Sequence, residues 1–270
     1  MAIDLIERNI NDCPDYCIER QPISVSDDRL HLLEVNGVCP FCGNMLINTG
    51  TKKTKQYEIA HIYPNSPSLD ELMILDGVTV FGENSESFQN KIALCFNCHK
   101  NYDFHKTVEE YNKVLAKKHA LYTSETMKAE LSNIDVPQNI ETLLDKIATL
   151  NLSADDIELR LKPLEIKQKF SKSESALKSK VTSCVTEYFV FIRNYFKNLE
   201  DTKQLNFSKL AATIKLAYLT AFNSSDSKNK IFDSLVKWLL SKTNSEDSAA
   251  AEIVISYFVQ NCEVFDEITE

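Results

Sequence analysis

Apolar residues recur at intervals of three and four positions through the second half of the chain, which is the period of an amphipathic α-helix. Four such stripes are present, and each predicts one helix with a buried face. The stripes are Val181, Val185, Tyr188, Ile192, Tyr195 and Leu199; Leu210, Ile214, Ala217, Tyr218 and Ala221; Ile231, Leu235, Trp238 and Leu239; and Ile253, Val254, Tyr257 and Phe258. We interpret these positions as the core of a helical bundle.

Capping residues mark the ends of the predicted helices. Ser171 and Glu174 have the spacing of a capping box, which satisfies free N–H groups at the start of a helix. Asp226 and Ser245 precede the last two stripes. We predict that they are N-caps, because their side chains can accept hydrogen bonds from the first turn of a helix.

Turn-forming residues dominate the first third of the chain instead. All five glycines lie between residues 37 and 82, and glycine supplies the backbone conformations that many turns require. Short strands are predicted over residues 45–47, 57–62 and 91–95. Helices are predicted over residues 29–35, over residues 68–75 and from residue 99 onward, and residues 26–28 are expected to cap the first of them. The expected order is strand, long loop, strand and helix.

The contrast between the two parts predicts an α+β protein that is mostly α. We expect a small loop-rich module over residues 1–122 and an all-α helical domain over residues 141–270. The segment 123–140 is polar and contains Pro137, so we interpret it as a linker or junction. Pro163 predicts a further break between helical stretches.

The composition is that of a soluble globular protein, with 43% hydrophobic residues. No apolar run approaches the roughly 20 residues that span a bilayer. The start, MAIDLIERNIND, lacks the basic flank and apolar core of a secretion signal. We therefore expect a cytoplasmic protein without a membrane partner.

The net charge of −9 excludes a surface that is basic throughout. Local patches still determine contacts with phosphates, so nucleic acid remains a candidate partner. Two groups of lysines are either such patches or ordinary solvated side chains. They comprise Lys52, Lys53 and Lys55, and Lys113, Lys117 and Lys118, with Lys100 and Lys106 closer to the second cysteine pair.

Two Cys-x-x-Cys pairs stand in the first part of the chain, Cys39 with Cys42 and Cys95 with Cys98. Two such pairs close a tetrahedral Zn²⁺ site, and reduced thiols favour zinc over disulfides. We predict a structural zinc ion that joins the two ends of the intervening segment. Zinc also suits a module that only binds, so the cysteines do not decide the function.

Phosphodiester hydrolysis requires a general base and a ligand for a metal cation. Residues between the cysteine pairs and directly after the second pair have suitable side chains. His61 ends a predicted strand and is a candidate base, because a neutral imidazole accepts a proton near neutral pH. His99 starts the predicted helix and can hold the cation. Asn90 begins the next strand, where its amide can fix the loop so that the base is oriented.

These motifs resemble those of the HNH (ββα-metal) endonuclease family over about residues 30–115. They read CPFC at 39–42, EIAHIYP at 58–64 and NKIALCFNCH at 90–99. The resemblance implies hydrolysis of DNA to 3′-hydroxyl and 5′-phosphate products. It further implies that His61 is the general base, that Asn90 fixes the loop, and that His99 binds a catalytic Mg²⁺ or another divalent cation.

One position departs from the family pattern. Many HNH proteins place Asp immediately before the base as a second metal ligand, whereas this chain has Ala60. Glu58 lies on the same strand face as Ala60, about 6–7 Å along it, and we expect Glu58 to complete the metal shell. Asp103, His105 and water are the alternatives.

The gap between His61 and Asn90 is long for a loop, and a helical region follows the module. This layout is similar to that of HNH proteins that accompany ABC-type ATPases in bacterial antiphage operons, such as the Septu and ABC-three-component systems. It implies a role in antiviral defence and an ATPase partner. The aromatic residues near the first stripe exceed what one helix face buries, so some are expected to contact a partner protein or a second copy of the chain. They are Tyr188, Phe189, Phe191, Tyr195 and Phe196.

We therefore predict a metal-dependent HNH endonuclease that hydrolyses DNA as the nuclease of a defence system. The alternative is a non-catalytic, zinc-stapled module that binds nucleic acid or protein. A third hypothesis is an RNase with the same site.

Overall fold

A computed structural model describes residues 7–50, 53–136, 166, 168–261 and 264–265 of the chain. The chain separates into two compact units, with the division between Glu125 and Thr126. Each unit has its own cluster of buried apolar side chains. We refer to them as the N-terminal unit and the helical unit.

All the described strands belong to the N-terminal unit and are short. They are β1 (Glu7–Asn9), β2 (Ile47–Asn48), β3 (Thr54–Lys55), β4 (Tyr57–His61), β5 (Thr79–Phe81) and β6 (Lys91–Cys95). They form three antiparallel pairs, β1 with β5, β2 with β3 and β4 with β6. The strands predicted over 57–62 and 91–95 are confirmed to within one residue. The strand predicted over 45–47 begins only at Ile47, since Met45 forms an isolated bridge with Val38.

Four helices begin in the N-terminal unit: α1 (Val25–Glu34), α2 (Leu69–Ile74), α3 (Phe96–Phe104) and α4 (Val108–Ser132). The predicted α2 is confirmed, and Ser68 and Glu71 form its capping box. The predicted start of α1 is wrong. The side chain of Ser24, which precedes the expected cap, accepts the N–H of Asp27 and starts the helix earlier.

The division between the units falls within α4, because this helix continues to Ser132. Residues 123–132 of the segment interpreted as a linker or junction are thus helical. Residues 133–136 follow the helix as a turn and irregular chain, which agrees with a junction there. Pro137 and residues 138–140 lie outside the described residues, as does the break predicted at Pro163.

Charged side chains are buried in the N-terminal unit beside its apolar core. Lys118 is fully buried, and its Nζ donates to both carboxylate oxygens of Glu34 at 2.7 Å. The same Nζ lies 3.9 Å from the ring centroid of Phe88, and the buried His31 stacks on that ring with centroids 4.1 Å apart. Charge pairing therefore organises this unit together with apolar burial.

The described part of the helical unit contains the end of α4 and four further α-helices, α5 (Ser175–Asp201), α6 (Phe207–Ser224), α7 (Lys228–Thr243) and α8 (Ser248–Gln260). The predicted stripes are confirmed, since every stripe residue except Tyr188 and Tyr195 is buried and these two pack against the same core. The predicted capping box of Ser171 and Glu174 is also confirmed. The N-caps predicted for α7 and α8 are wrong by one and two residues, because Ser227 and Asp247 occupy those positions.

The fold class is α+β and mostly α, as predicted. The described strands all precede the helical unit, whose described residues form helices and their connections. Among the described helices, none has both the length and the apolar character needed to cross a membrane.

Candidate functional site

β4 and β6 bear most of the predicted site residues. Their antiparallel register sets His61 opposite Lys91 and Tyr57 opposite Cys95. β6 leads directly into α3, so a strand pair is followed at once by a helix. The strand pair thus has His61 at one end and the second cysteine pair at the other.

The four predicted zinc ligands converge. The Sγ atoms of Cys39, Cys42, Cys95 and Cys98 all lie within 4.8 Å of one another, and those of Cys42 and Cys95 are 3.6 Å apart. Tetrahedral zinc with Zn–S bonds of about 2.3 Å separates its sulfur ligands by roughly 3.8 Å. The cluster therefore fits a structural zinc ion. Among the described residues it is the one place where three or more histidine, cysteine or acidic ligand atoms meet in this way.

Backbone hydrogen bonds favour the thiolate of Cys39, whereas burial and the neighbouring cysteines raise the pKa of Cys95 and Cys98. Gly43 adopts a φ of +73° and donates its N–H to the carbonyl of Cys39 at 2.9 Å, which closes the first turn. In the second turn the N–H of Cys98 donates to the sulfur of Cys95 at 3.4 Å. Burial favours the neutral thiol of Cys39, but backbone hydrogen bonds outweigh it and lower the pKa of this cysteine to about 7.

His61 ends β4 and is largely shielded, with 13% of its side chain exposed. Its Nε2 lies 2.8 Å from Oε1 of Glu86, and the other oxygen of Glu86 accepts a hydrogen bond from Lys91 Nζ at 2.6 Å. Burial lowers the pKa of His61, and the neighbouring carboxylate opposes this effect only in part. The imidazole is therefore neutral near pH 7 and can accept a proton.

Glu86 was not predicted from the sequence. Burial alone would raise the pKa of Glu86, but the hydrogen bonds from Lys91 and His61 hold it below its usual range, so the carboxylate is ionised. Glu86 lies 25 residues from His61 in a turn that resembles no motif. Only the folding of the long loop could have revealed the contact.

Asn90 is buried and connects two loops. Its Oδ1 accepts the N–H of Tyr63 at 2.8 Å, and its Nδ2 donates to the carbonyls of Tyr63 at 3.0 Å and Ser85 at 2.9 Å. Asn90 ends a 3-10 turn (Phe88–Asn90), so the expectation that it begins the strand is wrong by one residue. The amide holds the chain that follows His61 against the turn that contains Glu86.

His99 is the fourth residue of α3, so the expectation that it starts the helix is wrong by one turn, because Cys95 is the N-cap. Its Nδ1 lies 2.7 Å from Glu58 Oε2, and its Nε2 lies 3.2 Å from Asp103 Oδ2. Imidazole and carboxylate ligands suit a divalent cation such as Mg²⁺ or Mn²⁺ in chemical type. The two carboxylates, however, contact different nitrogens of the His99 ring. In this arrangement a single cation can therefore be bound by His99 together with only one of the two carboxylates.

The two imidazoles therefore belong to two separate clusters. Side chains alternate along a strand, so Glu58 and Ala60 leave one face of β4 and His61 leaves the other. Ala60 is fully buried. His61 contacts Glu86, whereas His99 contacts Glu58 and Asp103.

The predicted lysine patches are reduced by local pairing. Lys118 is wrong as a patch member, because burial against Glu34 removes it from the surface. Lys55 pairs with Asp28 at 2.5 Å, and Lys113 lies 3.4 Å from Glu110. Lys106 lies 3.1 Å from Glu71. The remaining predicted members are Lys53, Lys100 and Lys117, which are exposed, and Lys52, which lies outside the described residues.

Comparison with known proteins concerns the second part of the chain. A family model for C-terminal domain 11 of the ABC-three component (ABC-3C) systems matches residues 127–265, slightly more than half of the 270 residues. A search of curated proteins and a search of solved structures return no match. The family match supports the ABC-three-component setting that the layout implied. The chain belongs to the family defined by C-terminal domain 11 of the ABC-3C systems.

Proposed function

We propose that the chain is a metal-dependent HNH endonuclease that hydrolyses DNA and acts with an ABC-type ATPase in a bacterial defence system. The observation that carries this proposal is the setting of His61, a shielded neutral imidazole at a strand end with its Nε2 bonded to an ionised carboxylate. The same strand pair leads to His99, which two carboxylates flank. The four-cysteine cluster lies where this strand pair meets α3.

In this proposal His61 removes a proton from the attacking water. Its lowered pKa keeps the acceptor nitrogen unprotonated at neutral pH, which is the state a general base needs. Asn90 contributes by fixing the backbone that follows His61, since three of its hydrogen bonds go to Tyr63 and Ser85. Fixed orientation of this kind supports the reaction because the base must meet the water at a defined angle.

His99, with Glu58 or Asp103, is the proposed holder of the catalytic cation. Glu58 and Asp103 are both about half exposed, so either carboxylate can rotate without leaving a buried charge unpaired. A bound divalent cation would neutralise charge on the scissile phosphate. Of the two, we assign Glu58 the role that we predicted for it, since its carboxylate lies 2.7 Å from His99.

The family supports the defence role and the partner. Membership in the ABC-3C family favours an ABC-type ATPase as the protein with which the chain assembles. The helical unit is the proposed docking platform, because the family match covers it. In the described helical unit, the exposed large apolar side chains all lie on α6, namely Leu216, Leu219 and Phe222. The aromatic residues of α5, by contrast, pack at least partly against the core.

A second candidate is a zinc-stapled binding module that does not cut. One observation favours it: His61 and His99 have separate partners, and the ligand atoms around His99 do not converge on one point. Under this hypothesis the carboxylates only act as hydrogen-bond partners for the two imidazole rings and have no further role. The cysteine cluster is common to both candidates and does not separate them.

Cleavage of supercoiled plasmid separates the two candidates. The full chain is incubated with plasmid and Mg²⁺ or Mn²⁺, with and without an ABC-type ATPase encoded beside it, and RNA is incubated in parallel. We expect the wild type to nick DNA and His61→Ala to lose at least about 100-fold of that rate. Glu83→Ala is the control, because Glu83 is exposed and belongs to neither histidine cluster. Equal nicking by wild type and His61→Ala would reject the assigned base, and cleavage of RNA alone would change the substrate.

A further inference from the structure

We propose that Glu86 is a positioning residue for His61 and makes Nδ1 the basic atom of that ring. The proposal rests on the proposed nuclease function and deepens it. The contact that carries it joins His61 Nε2 to Glu86 Oε1 at 2.8 Å. Both oxygens of Glu86 are used, since Lys91 Nζ donates to the second at 2.6 Å.

The turn that presents Glu86 has a defined backbone. Gly82 adopts a φ of +95°, and a Cβ on this residue would lie 2.6 Å from the Cβ of Ser87, so the turn requires glycine here. Asn84 Oδ1 accepts the N–H of Glu86 at 2.9 Å, and Ser87 Oγ accepts the N–H of Asn84 at 3.0 Å. Two side chains within the turn thus fix the direction of the Glu86 backbone.

Further hydrogen bonds tie this turn to the surrounding chain. The N–H of Ser85 donates to the carbonyl of Tyr16 at 2.7 Å, and the hydroxyl of Ser85 accepts the N–H of Ile18 at 3.1 Å. Asn90 donates to the carbonyl of Ser85 and also holds Tyr63, two residues beyond His61. One buried amide therefore sets the distance between the carboxylate and the ring that it contacts.

The charges around the ring determine which nitrogen carries the proton. Glu86, Lys91 and Arg20 are the charged groups that act on His61. Because Lys91 keeps Glu86 ionised, the carboxylate can only accept a hydrogen bond, and a neutral His61 must donate from Nε2. The lone pair of the neutral ring then lies on Nδ1, which can take a proton from water. A carboxylate that orients an imidazole in this manner fixes both its tautomer and its direction.

Glu86→Gln removes this control while keeping the size of the side chain. The introduced amide can donate as well as accept, so the ring of His61 can carry its proton on Nδ1. A protonated Nδ1 has no lone pair with which to accept a proton from water. Loss of the carboxylate also removes a group that raises the pKa of His61. We expect the nicking rate at saturating DNA to fall about 100-fold, with an unchanged KM. The acid limb of the pH–rate profile should also move to lower pH.

Glu83→Gln is the matched control, because Glu83 is an exposed acid in the same turn. Its nicking rate and pH profile should equal those of the wild type. Zinc content and the unfolding midpoint are measured for both variants to ensure that a slow variant is a folded one. Nicking by Glu86→Gln at the wild-type rate overturns the proposal.

Nitrogen NMR of ¹⁵N-histidine-labelled full chain tests the same contact without reference to cleavage. His61→Ala identifies the signals of His61. We expect the Nε2–H tautomer in the wild type and in Glu83→Gln, and an altered tautomer ratio in Glu86→Gln. An Nδ1–H tautomer in the wild type, or no change in Glu86→Gln, overturns the proposal. If the tautomers behave as expected while no form of the protein cleaves nucleic acid, the nuclease function fails and the arrangement of His61 by Glu86 stands.

Discussion

The N-terminal unit and the helical unit bury different kinds of groups. The N-terminal unit places Glu34, Lys118, Lys91 and Asn90 in its interior, each with a polar partner. The four stripes of the helical unit meet in a core of apolar and aromatic side chains. The helical unit also buries Lys169, but its Nζ donates to the backbone carbonyls of Val259 and Val264 and not to a carboxylate. Buried ion pairs between side chains therefore distinguish the described interior of the first unit, whereas apolar packing dominates that of the second.

The two units also give different kinds of information about function. The helical unit is the part that the family model matches, over residues 127–265. The residues with candidate chemistry lie in the N-terminal unit, between Cys39 and Asp103. Family membership therefore indicates the setting of the protein, while the reaction has to be argued from the pairs around His61 and His99.

Loss of a cysteine from the four-cysteine cluster should have the largest effect on folding. Cys42→Ser removes one of four converging thiolates, and structural zinc contributes roughly 10–16 kcal/mol of folding free energy in small zinc modules. We expect loss of zinc and unfolding of the N-terminal unit, measured by metal analysis and circular dichroism. Cys17→Ser is the control, since Cys17 lies in the same unit outside the cluster. Normal zinc content in Cys42→Ser would reject the four-cysteine site.

Breaking the buried ion pair of Lys118 and Glu34 should have the second-largest effect on stability. Lys118→Met leaves Glu34 buried without its cation, and breaking a buried pair costs about 3–5 kcal/mol. Urea unfolding of the zinc-loaded protein should register this loss. Lys117→Met, an exposed neighbour on α4, should change the unfolding free energy by less than about 0.5 kcal/mol. Equal stability of the two variants would remove the contrast between the units.

Truncation of a core residue in the helical unit tests how much apolar packing contributes to the stability of that unit. Leu235 is fully buried on α7, and Leu235→Ala should cost about 2–5 kcal/mol by leaving a cavity. The exposed Leu219 on α6 is the control, and Leu219→Ala should have a small effect. Zinc content should stay at the wild-type level in both. Loss of zinc in Leu235→Ala would contradict the separate cores of the two units.

The smallest effect is a pH dependence of stability. Burial lowers the pKa of His31, and the carboxylate of Glu34, 4.0 Å away, opposes this only in part. The unfolded state, with a pKa of about 6.5, therefore takes up the proton first. Above pH 6.5 both states are neutral at this site and its contribution is fully present. The unfolding free energy falls as the pH drops below 6.5.

His31→Gln should make this fall shallower when urea unfolding is followed from pH 7 to pH 5. The slope does not vanish, because burial also lowers the pKa of His61 and His119. His105→Gln, at an exposed position, should retain the wild-type slope. A slope of His31→Gln equal to that of the wild type would contradict the assigned role of His31.

Local patterns in the sequence predicted much of this structure. The stripes around Leu235 and Phe258 identify helices because a helix repeats every 3.6 residues. The cysteine spacing identifies the cluster because two short knuckles suffice to bring four thiols together. Helix ends were less predictable, since Ser, Asp and Asn compete for the N-cap position over two or three residues, as at Asp226 and Ser227.

Contacts between distant residues could not be predicted in this way. Glu86 reaches His61 across a long loop, and Lys118 reaches Glu34 from 84 residues away. A lysine on a helix is ordinarily solvated, and only the folded unit brings it against a buried carboxylate. The partners of His61 are therefore a product of the tertiary structure, while His61 itself stands in a recognisable motif.

We propose that His61 and His99 perform the chemistry and that the cysteine cluster only supports their positions. The decisive measurement is zinc per chain together with plasmid nicking, on the same preparations of wild type, His61→Ala and His99→Ala. We expect the wild-type zinc content in all three, with nicking by the wild type alone. Nicking by both variants at the wild-type rate, with zinc content unchanged, would contradict this proposal.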